Sequence, residues 1–128
     1  MEKIAIYGGS FDPPHEGHKL LAQNLAEYCG AQKVLVIPTA MSPFKNTSGA
    51  SSSQRYEMCK LAFNDPLFEV SDIEISRGGK SYTVDTVNKV KELYPESDLY
   101  LFMGDDMFLS FNKWYKYEEI MRMCKLVA

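Results

Sequence analysis

A chain of 128 residues, 45% of them hydrophobic, has room for one domain with a real core, and it reads as a single domain over residues 1–128. Its charged residues, 24% of the total, leave a formal net charge of −3, which excludes the basic footprint of a broad nucleic-acid surface, so an anionic ligand must be held by local positive groups. The three cysteines, Cys29, Cys59 and Cys124, are unpaired in spacing and read as buried, reduced thiols of a cytoplasmic protein; with no signal peptide and no apolar stretch of bilayer length, no membrane association is expected.

In chain order, Lys3–Tyr7 reads as a buried strand that ends in a tight glycine turn at Gly8-Gly9. A helix follows from His18 to Cys29, entered at Gly17. It carries Leu21, Ala22, Leu25, Ala26 and Cys29 on one face and is stopped by Gly30. Val34-Leu35-Val36-Ile37 is a continuous apolar run stopped by Pro38, the pattern of a central parallel strand. The segment from Thr39 to about Ser52 is a loop, readable equally as a flap or a linker. Ser53 to Asn64 fits a helix with Ser53 as N-cap. Phe68 to Ile75 alternates as a strand does, apart from an irregularity at Ser71-Asp72.

Arg77-Gly78-Gly79-Lys80 is a turn, and a helix runs from Ser81 or Tyr82 to Leu93, closed by Pro95. Leu99-Tyr100-Leu101-Phe102-Met103 is another buried strand, followed by a turn at Gly104-Asp105-Asp106. Asn112 to Cys124 reads as a last helix, with a strand beginning at Leu126. Alternating strands and helices predict a parallel sheet with helices on both faces and right-handed crossovers. In such sheets ligands sit beyond the carboxyl ends of the strands, where the winding reverses, so the segments after Tyr7, Pro38 and Met103 crowd one edge.

The segment Gly8-Gly9-Ser10-Phe11-Asp12-Pro13-Pro14-His15-Glu16-Gly17-His18 joins that edge to the first helix. A strand, a glycine turn and a helix entry in this order gather backbone N–H groups and the positive end of a helix dipole, a setting suited to phosphate. A glycine pair is more commonly a plain turn. Here the two prolines stiffen the loop, and Gly17 permits close approach at the helix entry. His15 and His18 are the only histidines. Chelation of a metal by imidazoles three apart is the competing reading, but only Glu16 is at hand as a third ligand and it points elsewhere. Donation to phosphoryl oxygens suits the rings better, since imidazole charges easily beside an anion. Asp105 and Asp106 are either solvated turn residues or site residues. Trp114 is either packing or a stacking wall, and Lys45 either an ordinary solvated lysine or part of the site.

With these residues placed, the chain resembles the nucleotidyltransferases that share an H-x-G-H signature, here His15-Glu16-Gly17-His18. Within that superfamily it is similar to the bacterial nicotinate-nucleotide adenylyltransferases. Val70-Ser71-Asp72-Ile73-Glu74, Ser81-Tyr82-Thr83-Val84-Asp85-Thr86, and Gly104-Asp105-Asp106 with Trp114-Tyr115 carry the narrower match, which runs from Lys3 to Ala128. The resemblance implies a Rossmann-like, doubly wound parallel sheet and adenylyl transfer from ATP to nicotinate mononucleotide, giving deamido-NAD and pyrophosphate. His15 and His18 would be the catalytic pair holding the triphosphate. Gly8, Gly9, Ser10, Phe11, Gly17, Gly104 and Asp106 would complete the ATP site, with Asp106 near the ribose. Ser10, Lys45, Tyr82, Thr83 and Trp114 would meet nicotinate mononucleotide, Tyr82 and Thr83 through backbone N–H groups and Trp114 by stacking.

Mg²⁺ is implied as a companion of ATP, held mostly by phosphate oxygens and water, with no protein metal ligands. Three departures stand out: Ser10 replaces the family's usual threonine, Phe44 stands where a histidine is common, and the family's Ser-Ser-Thr-x-Ile-Arg segment has no counterpart before Ala128. The sheet is therefore expected to be incomplete at its C-terminal side, corresponding to the N-terminal part of the family fold, with an unpaired edge that favours self-association. A sibling transferase acting on phosphopantetheine and a catalytically silent nucleotide-binding fragment are the alternative functions.

Overall fold

The computed structural model describes residues 2–11, 13–40, 51–79 and 82–128, with Asp105 and Asp106 described by backbone alone. Strands β1 (Lys3–Gly9), β2 (Lys33–Pro38), β3 (Phe68–Val70), β4 (Asp98–Phe102) and β5 (Lys125–Val127) form one sheet in the order β3-β2-β1-β4-β5. Every neighbouring pair is parallel. The connections run outward from β1 through β2 to β3, then return to place β4 on the other side of β1. The winding therefore reverses between β1 and β4, which opens a crevice above their carboxyl ends.

Successive residues of a strand face opposite sides of a sheet, and here both sides are covered. Ala5, Tyr7, Val34, Val36, Tyr100 and Phe102 pack against helices α1 (Glu16–Cys29) and α2 (Ser52–Ala62) through Ala22, Leu25, Ala26 and Cys59. Ile4, Ile6, Leu35, Ile37, Leu99 and Leu101 pack on the other face, against Val84, Val87 and Val90 of α4 (Thr83–Leu93) and Ile120 of α6 (Tyr117–Met123). Burial on both faces is what makes the strand sequences continuous apolar runs. The fold is the expected α/β, Rossmann-like one. Cys59 and Cys124 are buried as expected, whereas Cys29, on the last turn of α1, is partly exposed. Among the described residues no helix is long and apolar enough to cross a membrane.

Several local expectations are corrected. β1 does not end before the glycines: Gly8 and Gly9 stay in the parallel ladder opposite Ile37 and Pro38, and the chain turns afterwards at Phe11, whose φ is 49°. The strand expected over Phe68–Ile75 stops at Val70. The Ser71 hydroxyl accepts from the Ile73 N–H at 3.3 Å, and the backbone leaves the ladder for the short helix α3 (Ile73–Arg77). The N-cap of α2 is Ser51 rather than Ser53. The Ser51 Oγ accepts from the Gln54 N–H at 3.1 Å, and the Gln54 Oε1 accepts from the Ser51 N–H at 3.0 Å, a capping box.

Gly104-Asp105-Asp106 is not a free turn but the start of α5 (Asp105–Leu109), with Gly104 as N-cap. The single helix expected over Asn112–Cys124 is broken into a 3₁₀ turn, Phe111–Lys113, and α6, separated by Lys116 with φ 51°. Phe111, Trp114 and Tyr117 recur every three residues and imitate a helical stripe. They instead pack as an aromatic cluster around Phe111, 5.0 Å to Trp114 and 5.9 Å to Tyr117 between centroids. The flap-or-linker segment, with Phe44 and Lys45, falls largely on residues 41–50, outside the described residues.

Candidate active site

Helix α1 begins at Glu16 rather than His18, and the reason is chemical. His15 is its N-cap, in an extended conformation, and its Nδ1 accepts from the Gly17 N–H at 3.1 Å. Three residues on, the His18 Nδ1 accepts from the His15 N–H at 3.0 Å. The two imidazoles thus form the reciprocal capping box usually built from a hydroxyl residue and a glutamate, and they stack with centroids 3.7 Å apart and planes at 25°.

This arrangement sets the tautomers. A ring nitrogen that accepts a backbone N–H carries no proton, so each neutral ring holds its proton on Nε2. Charging either ring would place a second proton on the accepting Nδ1 and break the cap. Burial, and then the charge of His15, push the His18 pKa below its ordinary value. Burial thus works against the easy charging expected of the His18 ring, and both rings keep the Nε2 edge for donation. The same geometry occupies both Nδ1 atoms and so removes them as metal ligands.

Gly17 takes part in this directly. A Cβ at Gly17 would lie 2.9 Å from His15 Cε1 and 3.0 Å from its Nδ1. Within the protein, the close approach at Gly17 is that of the His15 ring. Phe11 is likewise a packing residue: its ring is buried, 5.3 Å from Tyr7, 5.6 Å from Phe63 and 5.2 Å from His18. A Cβ on Gly9 would come within 3.3 Å of the same ring. Gly104, just after β4, has no atom of the described residues other than its chain neighbours within 4 Å of where its Cβ would stand.

The second group of expected residues lies on the opposite face of the sheet. Tyr82 is the N-cap of α4, and its side chain caps none of that helix's first N–H groups, Thr83 being the first helical residue. The Tyr82 ring lies 5.0 Å from that of Tyr115, while Trp114, partly exposed, rests on Phe111. Both belong to the cluster under α4 and α6, whereas Phe11 belongs to the cluster under α1 and α2. The structure thus gathers Gly8, Gly9, Ser10, Phe11, His15, Gly17 and His18 at one mouth of the reversal point, and Tyr82, Thr83 and Trp114 on the other face. Asp106 lies in the first turn of α5 with its side chain outside the described atoms; Asp12 and Lys45 lie outside the described residues.

Two features escaped the sequence reading. Arg55 on α2 is buried, 3% exposed. Its Nη1 donates to the Ser10 carbonyl at 2.9 Å and the Thr39 carbonyl at 2.7 Å, and its Nη2 to the Ala40 carbonyl at 3.4 Å. Its spacing of four from buried Cys59 was the available signal. Leu61 on the same helix is apolar yet exposed, so apolarity alone does not mark the buried side of α2. The other feature is a buried polar link between α3 and α4: Thr86 Oγ1 donates to Glu74 Oε2 and accepts from Arg77 Nη2 at 3.1 Å.

A parallel sheet reversing at its central strand, with a histidine-capped helix directly after that strand, is the frame of a nucleotidyltransferase. Residues 6–128 match the family model described as cytidylyltransferase-like. The chain is 39% identical, over its whole length, to a nicotinate-nucleotide adenylyltransferase of Bacillus subtilis, covering 69% of that protein. It is 42% identical over 96% of its length to a protein of Aquifex aeolicus described as a probable nicotinate-nucleotide adenylyltransferase, covering 74% of it. The chain belongs to the bacterial nicotinate-nucleotide adenylyltransferase family, within the H-x-G-H nucleotidyltransferase superfamily.

A Vibrio parahaemolyticus crystal structure given the same assignment superimposes with a TM-score of 0.83 at 30% identity, covering all of this chain and 77% of that one. The fold is shared with a Plasmodium falciparum nicotinic acid mononucleotide adenylyltransferase complexed with NaAD, at a TM-score of 0.80 and 22% identity over 94% of this chain and 60% of that one. The chain spans 74% of the Aquifex relative and 59% of a similar one from Pelobacter propionicus, 40% identical to it.

Proposed function

We propose that the chain, as one nucleotidyltransferase domain, transfers the adenylyl group of ATP to nicotinate mononucleotide, releasing pyrophosphate and forming deamido-NAD. The observation that carries the reading is the pair of stacked, mutually capped imidazoles at the entry to α1, each keeping an Nε2–H for donation. The phosphate of the acceptor attacks the α-phosphorus of ATP. One P–O bond forms while the bond from the α-phosphorus to its bridging oxygen breaks, and the electron pair leaves with pyrophosphate. The attacking phosphate is already largely dianionic at neutral pH, so no side chain need remove a proton.

The chain's own work is placement and neutralisation. His15 and His18 donate Nε2–H to the triphosphate, supported by the first N–H groups of α1. The backbone from Gly8 through Phe11 lies under the nucleotide, with Ser10 also reaching the acceptor and Gly17 setting the His15 ring. Gly104 and Asp106 serve the ATP ribose side. Tyr82 and Thr83 offer N–H groups to the nicotinate carboxylate at the start of α4, which no side chain of Tyr82 caps, Trp114 stacks on the pyridine ring, and Lys45 adds charge. Among the described residues no three His, Cys, Asp or Glu side chains converge as a metal set. An Mg²⁺ accompanying ATP would be held on phosphate oxygens and water, where it would offset negative charge.

Pyrophosphate release with ATP and nicotinate mononucleotide, run beside ATP and phosphopantetheine, tests the reaction. His18→Ala should lower turnover roughly a hundredfold, the scale of losing one preorganised donor, and Trp114→Ala should raise KM for nicotinate mononucleotide about tenfold, the scale of one lost ring stack. Preference for phosphopantetheine, or calorimetric ATP binding without product, would refute the assignment.

A further inference from the structure

We infer that Arg55 is a positioning residue, a clamp that holds the turns after β1 and β2 in the shape the phosphate-facing crevice needs. Its functional consequence rests on the adenylyl-transfer reading; the clamp itself does not. The guanidinium is a planar fork whose donors diverge at fixed angles, and three carbonyls from two separate turns converge on it: Ser10 after β1, and Thr39 and Ala40 after β2. The turns are also tied to each other, the Thr39 N–H donating to the Gly9 carbonyl at 2.9 Å. Arg55 is itself held from below, its N–H bonded to the Ser51 carbonyl at 2.9 Å in the first turn of α2, which the Ser51–Gln54 capping box fixes.

The clamp has a directional effect. In a trans peptide unit the C=O and the following N–H point opposite ways. Drawing the Ser10 carbonyl onto Arg55 therefore turns the Phe11 N–H away from it, and drawing in the Thr39 carbonyl turns the Ala40 N–H away likewise. The guanidinium thus collects carbonyl oxygens, which would repel an anion, and reverses the amide dipoles of both turns. Phe11 bears this out from the other side of the same peptide. Its φ of 49° is rare for a bulky side chain and persists only where the surroundings over-determine it. Here they do so twice, through the buried ring that follows the turn and the clamped carbonyl that precedes it. Lysine keeps the charge but puts its three donors on one nitrogen at the end of a flexible stem, so it cannot hold three carbonyls at the angles of a planar fork with two Nη donors.

Two variants test this, Arg55→Lys and Arg55→Met, each measured by amide hydrogen exchange and by steady-state kinetics. In Arg55→Lys the Thr39 N–H should exchange at least about tenfold faster, as local opening replaces a held turn, while the Ile6 and Leu35 amides of the core keep their rates. Turnover number should fall roughly tenfold in Arg55→Lys and roughly a hundredfold in Arg55→Met, the scale of a misplacement near 1 Å, with a smaller rise in KM for ATP.

Unchanged exchange at Thr39 in both variants would overturn the inference. So would acceleration shared equally by the core amides, which would make Arg55 a general contributor to stability. Wild-type turnover in a folded Arg55→Lys with loosened Thr39 would overturn the link to catalysis. Should the wild type itself lack turnover with ATP and nicotinate mononucleotide, the adenylyl-transfer reading fails alone, and exchange still decides the clamp. Arg55→Lys retains the charge and the stem, so its exchange decides between the outcomes if Arg55→Met does not fold.

Discussion

Replacing Gly17 by alanine separates the stability of the first helix from the placement of its histidines. Gly17 has an ordinary helical backbone, so alanine brings no backbone strain, and its better helix propensity contributes about 0.5–1 kcal/mol. Against this stands the new Cβ, which would lie 2.9 Å from His15 Cε1, so the ring must move. Moving it weakens the bond from the Gly17 N–H to His15 Nδ1, an N-cap interaction worth about 1 kcal/mol. The two terms nearly cancel, and the melting midpoint should shift by no more than about 5 °C.

Catalysis has no compensating term. A displaced His15 carries its Nε2–H with it and disturbs the 3.7 Å stack that orients His18, so turnover should fall by roughly ten- to a hundredfold. The assay is pyrophosphate release at saturating ATP and nicotinate mononucleotide, beside a thermal melt of the same preparation. Wild-type turnover in a variant that melts normally would show that the ring position does not matter, and would remove the capped imidazoles as the centre of the site.

Acidification offers a second check. The His18 pKa is lowered in the folded chain by burial and by the charge of His15, so below the ordinary value of 6.5 the unfolded chain binds more protons than the folded one. The contribution of His18 is whole above that pH and is lost as pH falls, so the wild-type melting midpoint should drop between pH 7 and pH 5. His18→Asn keeps an acceptor near the Nδ1 position and cannot titrate, so it should flatten part of that slope; an identical slope in the variant would contradict the assignment. Thr86→Val removes the hydroxyl joining Glu74 to Arg77 while preserving shape, and urea unfolding should show a loss of about 2–3 kcal/mol, the scale of buried hydrogen bonds to charged groups. A loss under about 0.5 kcal/mol would mean that the link between α3 and α4 is dispensable.

The central strands were legible because β1, β2 and β4 are covered on both faces, and that covering writes itself as unbroken apolar runs. The histidine motif was legible as a motif, but its internal hydrogen bonds were not: histidine is an uncommon capping residue, and the pattern usually read for such a box is a hydroxyl followed by a carboxylate. Arg55 was missed because its burial depends on carbonyls at Ser10 and Thr39, which only the folded sheet brings together. The break in the helix expected over Asn112–Cys124 was not legible, because the three-residue spacing of Phe111, Trp114 and Tyr117 is compatible with a helix and a 3₁₀ turn alike. The strand read through Ile75 failed at Ser71, where a side-chain bond to the backbone outweighed alternation.

A histidine pair that spends both Nδ1 atoms on capping its own helix has a bearing on the exit of pyrophosphate in the proposed reaction. Two cations would hold pyrophosphate as tightly as the charge-separating state before it, whereas neutral dipoles act chiefly where negative charge is most concentrated and keep a weaker grip on the freed anion. The helix that locks its own imidazoles would thereby favour an enzyme that lets go, with departure of the leaving group less of a brake on each cycle.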